Sequence, residues 1–404
     1  MHILMINKFL YKKGGSETYM FTLAKALEEA GHKVSFFGMA DARNDVGEHP
    51  CVEVSNKDFH NDSKVQMAAN ALRTIRSKEA YTALREMLKK DRPDIAHIHN
   101  FNYQLTPAVL EALRDEDIPV VMTMHDAQLV CPNHMMYDLN RDERCYECVQ
   151  GNDMSCIKRK CIHDSLPKSV IAWMEKKYWR MKHIYETIDL FICPSTFLQH
   201  KVIKNRDISV FNTIRLPNFT NAKHEPSYKG ERQGVIYFGR LSKEKGIEDI
   251  LEAARALPDV PFIIAGTGPL EEEVKKAAKE CSNIDYKGFL SHDVLHDLVR
   301  HSMYSLYPSR WDENCPMSVI ESICMGTPVI ATPNGGLPEL VKDGENGLLV
   351  RSKESLADTI ERAMRIGKTM YESMLEGCEA SEFMSPDEYE KKIEEIYQKI
   401  IQHR

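Results

Sequence analysis

At 404 residues, with 43% hydrophobic and 28% charged residues and a net charge of −7 at pH 7, the sequence is that of a folded globular protein long enough for two or three domains. The acidic balance excludes a protein that holds nucleic acid through its bulk charge, and no apolar run reaches the ~18–20 residues that span a bilayer. Met1–Asn7 is too short for a signal peptide and reads as a buried first strand; a cytoplasmic location is expected, and the eleven cysteines are not presumed to be disulfides.

Strand and helix patterns alternate from the start. Ile3–Asn7 reads as a strand, Glu17–Ala30 as a helix closed by Gly31, and Lys33–Phe37 as the next strand. Helical periodicity fills Lys64–Lys90, Thr106–Arg114 and Ser169–Tyr185, with strands at Ile95–Ile98, Val120–Thr123 and Leu190–Cys193. A polar linker, Asn221–Gln233, follows, and the alternation restarts. Strands are expected at Gly234–Gly239, Phe262–Ala265, Ile284–Lys287, Ser305–Tyr307 and Pro328–Ala331. Helices are expected after the first of these to Ala256, at Leu270–Glu280, at His292–His301 and from Pro316. A last helix, Pro386–Gln402, follows a break at Met384-Ser385-Pro386. This pattern predicts an α/β protein of two doubly wound, Rossmann-like domains facing a central cleft. The predicted domains are 1–217, with an inserted Cys-rich segment at 126–165, and 218–383; residues 384–404 form a last helix outside the second domain.

The chemistry-bearing residues fall just beyond predicted strand ends, where open α/β sheets bind ligands. Glu313 precedes Asn314-Cys315-Pro316-Met317, and Glu321 follows eight positions later. Pro316 is expected to open a helix, so that a loop carboxylate, free backbone N–H groups and a helix N-terminus converge. That suits a ligand with hydroxyls and phosphate; two solvated acids on a helix fit the same spacing. Arg240 and Lys245 could neutralise a diphosphate, the first through a planar fork and the second as a point charge. The Gly-rich turn at Gly266 lies on the same rim, although strand-to-helix turns favour glycine anyway, and the strand end Gly288-Phe289-Leu290 could lay backbone groups against a planar base. Earlier in the chain, Gly14-Gly15 opens a helix without the G-x-G-x-x-G of nicotinamide-cofactor sites. His125 ends a strand and either meets a sugar hydroxyl or is a structural histidine beside Asp126. His99 and Asn100 end another strand, while His97 is expected to pack inside.

The quoted segments resemble glycosyltransferase family 4, of the GT-B fold, across nearly the whole chain. They are "GGSETYMFTLAKALEEAGHKV", "DIAHIHN", "GRLSKEKGIEDILEA", "AGTGPLEEEV", "YPSRWDENCPMSVIESICMGTPVIAT" and "GGLPELVKDGENGLLV", in the family's order. The resemblance implies retaining, metal-independent transfer of a sugar from a UDP- or GDP-sugar to a glycan or polyprenyl-linked acceptor, with no cofactor needed for the chemistry. It implies that Arg240 and Lys245 hold the diphosphate, Glu321 the ribose, Glu313 the transferred sugar and backbone groups of Asn314–Met317 the sugar and phosphate. His125 would lie near the anomeric centre, Gly14-Gly15 beside phosphate and acceptor and Gly288-Phe289-Leu290 around the base, and the last helix would cross back to the first domain. Capsule, exopolysaccharide or lipopolysaccharide synthesis is the expected setting. The paired glutamates also suit a sugar-nucleotide epimerase or hydrolase, and the whole set suits a non-catalytic sugar-nucleotide-binding protein.

Two features lie outside that resemblance. Cys131, Cys145, Cys148, Cys156 and Cys161 crowd one turn-rich segment, and Cys145-x-x-Cys148 has metal-ligand spacing. Structural zinc, reduced buried thiols and an adventitious disulfide are the alternatives. Lys158–Lys182 carries eight Lys or Arg with Trp173, Tyr178 and Trp179 interleaved. It reads either as an anionic-membrane contact or as a helix burying its tryptophans with its lysines solvated.

Overall fold

The computed structural model describes residues 1–55, 74–222, 226–228 and 230–404. Helical periodicity read over Lys64–Lys90 falls partly outside these residues; within them the helix is Lys78–Lys90. The strands, in chain order, are β1 (His2–Ile6), β2 (Lys33–Met39), β3 (Cys51–Val54), β4 (Ile95–Ile98), β5 (Val120–Thr123), β6 (Tyr137–Asp138), β7 (Glu143–Arg144), β8 (Leu190–Cys193) and β9 (Thr213–Arg215). The second half adds β10 (Val235–Phe238), β11 (Phe262–Ala265), β12 (Ile284–Gly288), β13 (Tyr304–Tyr307), β14 (Val329–Ala331) and β15 (Gly347–Leu349).

Two compact units result. One comprises Met1–Asn140, Cys145–Pro217 and Pro386–Arg404, and the other Arg141–Arg144 and Asn218–Ser385. In the first, seven parallel strands run in the order β3-β2-β1-β4-β5-β8-β9. β1, β4 and β5 are near-continuous apolar runs because helices cover both of their faces. The final helix, Pro386–His403, belongs to this unit and inserts Tyr389, Ile393 and Tyr397, all fully buried. Tyr389 Oη lies 2.8 Å from Tyr19 Oη, and Tyr397 Oη 2.5 Å from His97 Nδ1.

The second unit has six parallel strands in the order β12-β11-β10-β13-β14-β15. Each order reverses direction once, between β1 and β4 and between β10 and β13. A doubly wound sheet opens a crevice beyond its strand ends at such a point. The loops that matter leave from there. β11 and β12 differ in register by a bulge between Ile264 and Ala265, which turns the chain into the Gly266 loop. A Cβ on Gly266, whose φ is +129°, would sit 1.9 Å from Gly239 O, so only glycine lets the loops after β10 and β11 lie together. They are laced by Leu241 N–H to Thr267 O at 2.9 Å, and Gly266 N–H ties the second of them to Gly288 O, at the end of β12, at 2.7 Å.

Candidate functional site

The loop after β13 carries the most specific arrangement. Glu313, 5% exposed, accepts three hydrogen bonds on Oε1. The donors are Lys245 Nζ at 2.6 Å, Ser309 Oγ at 2.6 Å and Trp311 Nε1 at 2.8 Å. The Lys245 ammonium also stands 4.9 Å from the centre of the Trp311 indole. Burial by itself would raise the Glu313 carboxyl; Lys245 and the two neutral donors outweigh it and hold the pKa below its ordinary value. Lys245 leaves from the loop after β10 and Glu313 from the loop after β13, so the pair spans the point where strand order reverses.

Neighbouring loops fix this position. Ser309 O accepts from Thr332 Oγ1 and Asn334 Nδ2, both at 2.7 Å, and Gly336 N–H donates to Glu313 O at 2.7 Å. Arg310, in the same loop, is used structurally: its guanidinium grips Asp249 at 2.8 Å through two nitrogens and Glu248 at 2.7 Å. Arg240, by contrast, is exposed, and its guanidinium makes no ion pair among the described residues. Its backbone is held by Tyr237 Oη donating to Arg240 O at 2.7 Å.

Pro316 is the cap of the helix Met317–Cys324, not its first residue, because its ψ of 121° is still extended. The N–H groups of Met317 and Ser318 therefore head the helix without intrahelical acceptors. Cys315 is buried, and its carbonyl accepts from Asn218 Nδ2 at 2.7 Å, which sets the Asn314-Cys315-Pro316 turn. Glu321 lies in the middle of that helix, and burial raises its carboxyl pKa while His292 partly offsets the rise. Two glutamates eight positions apart are thus driven in opposite directions. Beyond β12, Gly288 has φ +65°, Phe289 is 83% exposed and Leu290 is half-buried.

In the first unit the loops beyond β1, β4 and β5 form a second cluster. His125 follows β5, with Nε2 3.0 Å from His99 Nδ1 and its ring edge-on to Tyr19 at 4.9 Å. His99 stacks on His97 at 4.5 Å, and His97 is fully buried, as expected, with its pKa pushed down to about 3 by burial. His99 Nε2 is buried without a hydrogen-bond partner among the described residues. Burial lowers the pKa of His125 as well, so this ring works as a neutral hydrogen-bonding group at neutral pH. Asn100 N–H donates to Asn7 Oδ1 at 3.0 Å, and Asn7 Nδ2 to Glu17 Oε1 at 3.1 Å, tying the ends of β1 and β4 to the helix Gly15–Glu29. Gly14 precedes that helix with an extended φ of −166°, and a Cβ on Gly15 would meet nothing within 4 Å. Neither glycine is required by backbone or packing, although Gly15 costs the helix about 1 kcal/mol relative to alanine.

Sequence reasoning overlooked three contributors. Ser309 and Trp311 hold Glu313, and Lys8 sits just beyond β1 with its ammonium pKa lowered by burial, against a raising effect of Asp126. For Lys8 the signal was there: a base one residue past a strand end.

The five clustered cysteines line one small void, together with Asn133, Tyr137 and Ser155. The basic segment is a helix, Leu166–Met181, that buries Trp179, whose Nε1 donates to Ile75 O at 2.8 Å. Not all of its bases face water: Lys176 and Arg180 share the Asp153 carboxylate at 2.7 and 2.8 Å. Lys158, Lys160, Lys168, Lys177 and Lys182 are exposed, and so are Met154, Leu166, Met174 and Met181. No helix among the described residues is long and apolar enough to cross a membrane.

Comparison with known proteins agrees with this layout. The sequence model of glycosyltransferase family 4 matches residues 13–222, more than half of the chain, and that of group 1 glycosyl transferases matches residues 219–376. The alpha-D-kanosaminyltransferase of Streptomyces kanamyceticus is 32% identical over 144 residues, covering 33% of this chain and about a third of the relative (37%). An uncharacterised 42.6 kDa protein of the Klebsiella pneumoniae cps region is 23% identical over 359 residues, 84% of this chain and 87% of that one. Among solved structures, Anabaena HepE in complex with UDP superposes with a TM-score of 0.66 at 18% identity, over 99% of this chain and all of the other. That likeness establishes the GT-B fold.

Proposed function

The chain belongs to glycosyltransferase family 4, and from that premise we propose that it transfers a sugar, with retention at the anomeric carbon, from a UDP- or GDP-sugar to a glycan or lipid-linked acceptor. The observation that carries this reading is the Lys245–Glu313 pair at the strand-order reversal, together with the exposed guanidinium of Arg240 on the same loop as Lys245, which makes no ion pair among the described residues. As the glycosidic bond breaks, negative charge grows on the leaving diphosphate. Arg240, Lys245 and the unsatisfied N–H groups at Met317 and Ser318 would stabilise that charge from fixed positions. Glu313, kept ionised by its three donors, would accept hydrogen bonds from hydroxyls of the transferred sugar. Glu321, less ready to ionise, would hold the ribose. Gly266 would let backbone approach the phosphates, and Gly288, Phe289 and Leu290 would frame the base. UDP in HepE and the kanosaminyl activity named for the Streptomyces relative support a nucleotide-sugar donor.

In the first unit, the glycines at 14 and 15 leave space that the fold does not need, which supports a role beside phosphate and acceptor. His125 would orient the acceptor or the sugar as a neutral hydrogen-bonding group near the anomeric centre. In this reading the chemistry needs no metal: the leaving phosphate takes the acceptor proton on the face it departs from. The cps-region relative supports a role in polysaccharide synthesis.

Thermal unfolding with a panel of UDP-, GDP-, ADP- and dTDP-sugars tests the donor assignment. A UDP- or GDP-sugar is expected to raise the midpoint by several degrees at ~100-fold excess over its Kd, and NMR of the product is expected to show the donor's anomeric configuration. No stabilisation by any nucleotide sugar, or an inverted product, would overturn the proposal.

The exposed lysines and methionines of residues 158–182 would rest on an anionic membrane surface, bringing a lipid-linked acceptor to the enzyme. Flotation with anionic vesicles is expected to carry the protein at low salt and release it at high salt. Failure to float at low salt rules the contact out.

A further inference from the structure

We propose that residues 131–161 form a structural zinc site in which four of the thiols of Cys131, Cys145, Cys148, Cys156 and Cys161 bind the ion, independent of the transfer chemistry. All five line one void of about 10 Å³, room for a single ion or water. The outer part of the segment has little core of its own: Cys148, Cys156 and Cys161 cluster with Ile162 and Ala172, whereas Cys131, Met136, Tyr146 and Val149 pack on the main core of the first unit. Two aliphatic side chains bury too little surface to offset the ~1–2 kcal/mol that each ordered residue costs. The segment is also strained. His134, Met136, Asp142, Lys160, His163 and Asp164 all have φ between 50° and 65°, a region costing non-glycine residues roughly 1–2 kcal/mol each. Such a loop needs a staple.

Local contacts hold the sulfurs at the void: the Cys131 thiol donates to Asn133 Oδ1 at 2.9 Å, the Cys148 thiol to Asn152 O at 3.9 Å and the Cys156 thiol to Ser169 O at 3.8 Å, donors that an ion would displace. Cationic groups are at hand too. Lys176, anchored to Cys148 O at 3.2 Å and Val130 O at 3.0 Å, and Arg159, held by Asp138 at 3.2 Å, lie near the cysteines. Binding would release four protons and leave a centre of charge −2, which these two cations, each already paired with an aspartate, would offset in part. Soft thiolates select zinc or an iron–sulfur cluster over hard cations, and a void sized for one ion favours zinc. Among the described residues, His32–Glu390–Glu394 and His183–Glu186–Asp207 bring three ligand atoms within 4.8 Å of one another. No three of the cysteine sulfurs meet that spacing among the described residues, so binding an ion requires them to draw together.

The test uses the full-length protein. Elemental analysis is expected to give one zinc per chain, and X-ray absorption at the zinc edge four sulfur neighbours at about 2.3 Å. Cys148→Ser is expected to lose zinc about 10–100-fold, while Cys51→Ser, remote from the cluster in sequence, keeps it. Should Cys148→Ser fail to fold, the wild-type protein supplies the answer: chelation is expected to open cleavage sites within residues 131–165 to protease, and added zinc to close them. Freshly purified protein with no metal and all eleven thiols titrating would overturn the site. So would a mass loss of two protons showing a disulfide, or iron with visible absorption.

Discussion

Arg240→Ala is expected to lower sugar transfer by about 10²–10³-fold while leaving the unfolding midpoint unchanged. The guanidinium is exposed and has no ion pair among the described residues, so its removal leaves nothing buried without a partner. Surface changes of that kind stay within about 0.5 kcal/mol. Lys245→Ala is expected to lose transfer to a similar extent, but with a cost in stability. Among the described residues its ammonium is the one charged donor on Glu313, which is 5% exposed and keeps Ser309 and Trp311 once the lysine has gone. A buried carboxylate short of a donor costs about 1–3 kcal/mol; with Lys245 itself a quarter exposed, the lower end applies. Initial rates with a saturating donor, paired with urea unfolding of both variants, separate the two effects. A folded Arg240→Ala enzyme with near-normal turnover would remove the diphosphate assignment.

Gly335→Ala is expected to destabilise the protein by about 2–4 kcal/mol and to abolish most of its activity, although residue 335 carries no functional side chain. Its φ is +65°, and a Cβ there would lie 2.1 Å from Glu313 O and 2.7 Å from Glu313 N. Both obstacles are backbone, so relief requires the Glu313 segment itself to move. That movement would break the Gly336 N–H bond to Glu313 O and shift the carboxylate away from Ser309 and Trp311. Gly31→Ala is the control. Gly31 has φ +89° with nothing within 4 Å of a built Cβ, so it carries only the left-handed cost of about 1–2 kcal/mol. Matching unfolding curves for the two variants, with full turnover in Gly335→Ala, would refute the claim that Gly335 positions Glu313.

Much of this was legible in the sequence where physics acts locally. Val120–Thr123, Phe262–Ala265 and His292–His301 were placed to the residue, because buried parallel strands are unbroken apolar runs and amphipathic helices repeat at 3.6 residues. Thr213–Arg215 and Gly347–Leu349 were missed: three residues hold too little pattern to count, and only pairing with a neighbouring strand defines them. Glu313 and Lys245 were both singled out, yet their ion pair bridges 68 positions and no spacing rule reaches that far. Lys176 shows the reverse error. It looked like one base in a solvated or membrane-facing row, and it is anchored by two carbonyls and Asp153.

The last helix has a consequence for how the protein is made. Tyr389 and Tyr397 supply the hydroxyls that meet Tyr19 and His97, so the first unit borrows part of its interior from the end of the chain. At synthesis rates of about 5–20 residues per second, residues 1–217 are complete on the order of 10 s or more before those tyrosines are translated. Until then the inner face of the helix Gly15–Glu29 has no cover from Pro386–His403, and His97 lacks its phenol partner. The newly made N-terminal half therefore exposes apolar surface during that interval, the condition under which chains aggregate or engage chaperones. An early stop anywhere before Pro386 harms the half that was translated first.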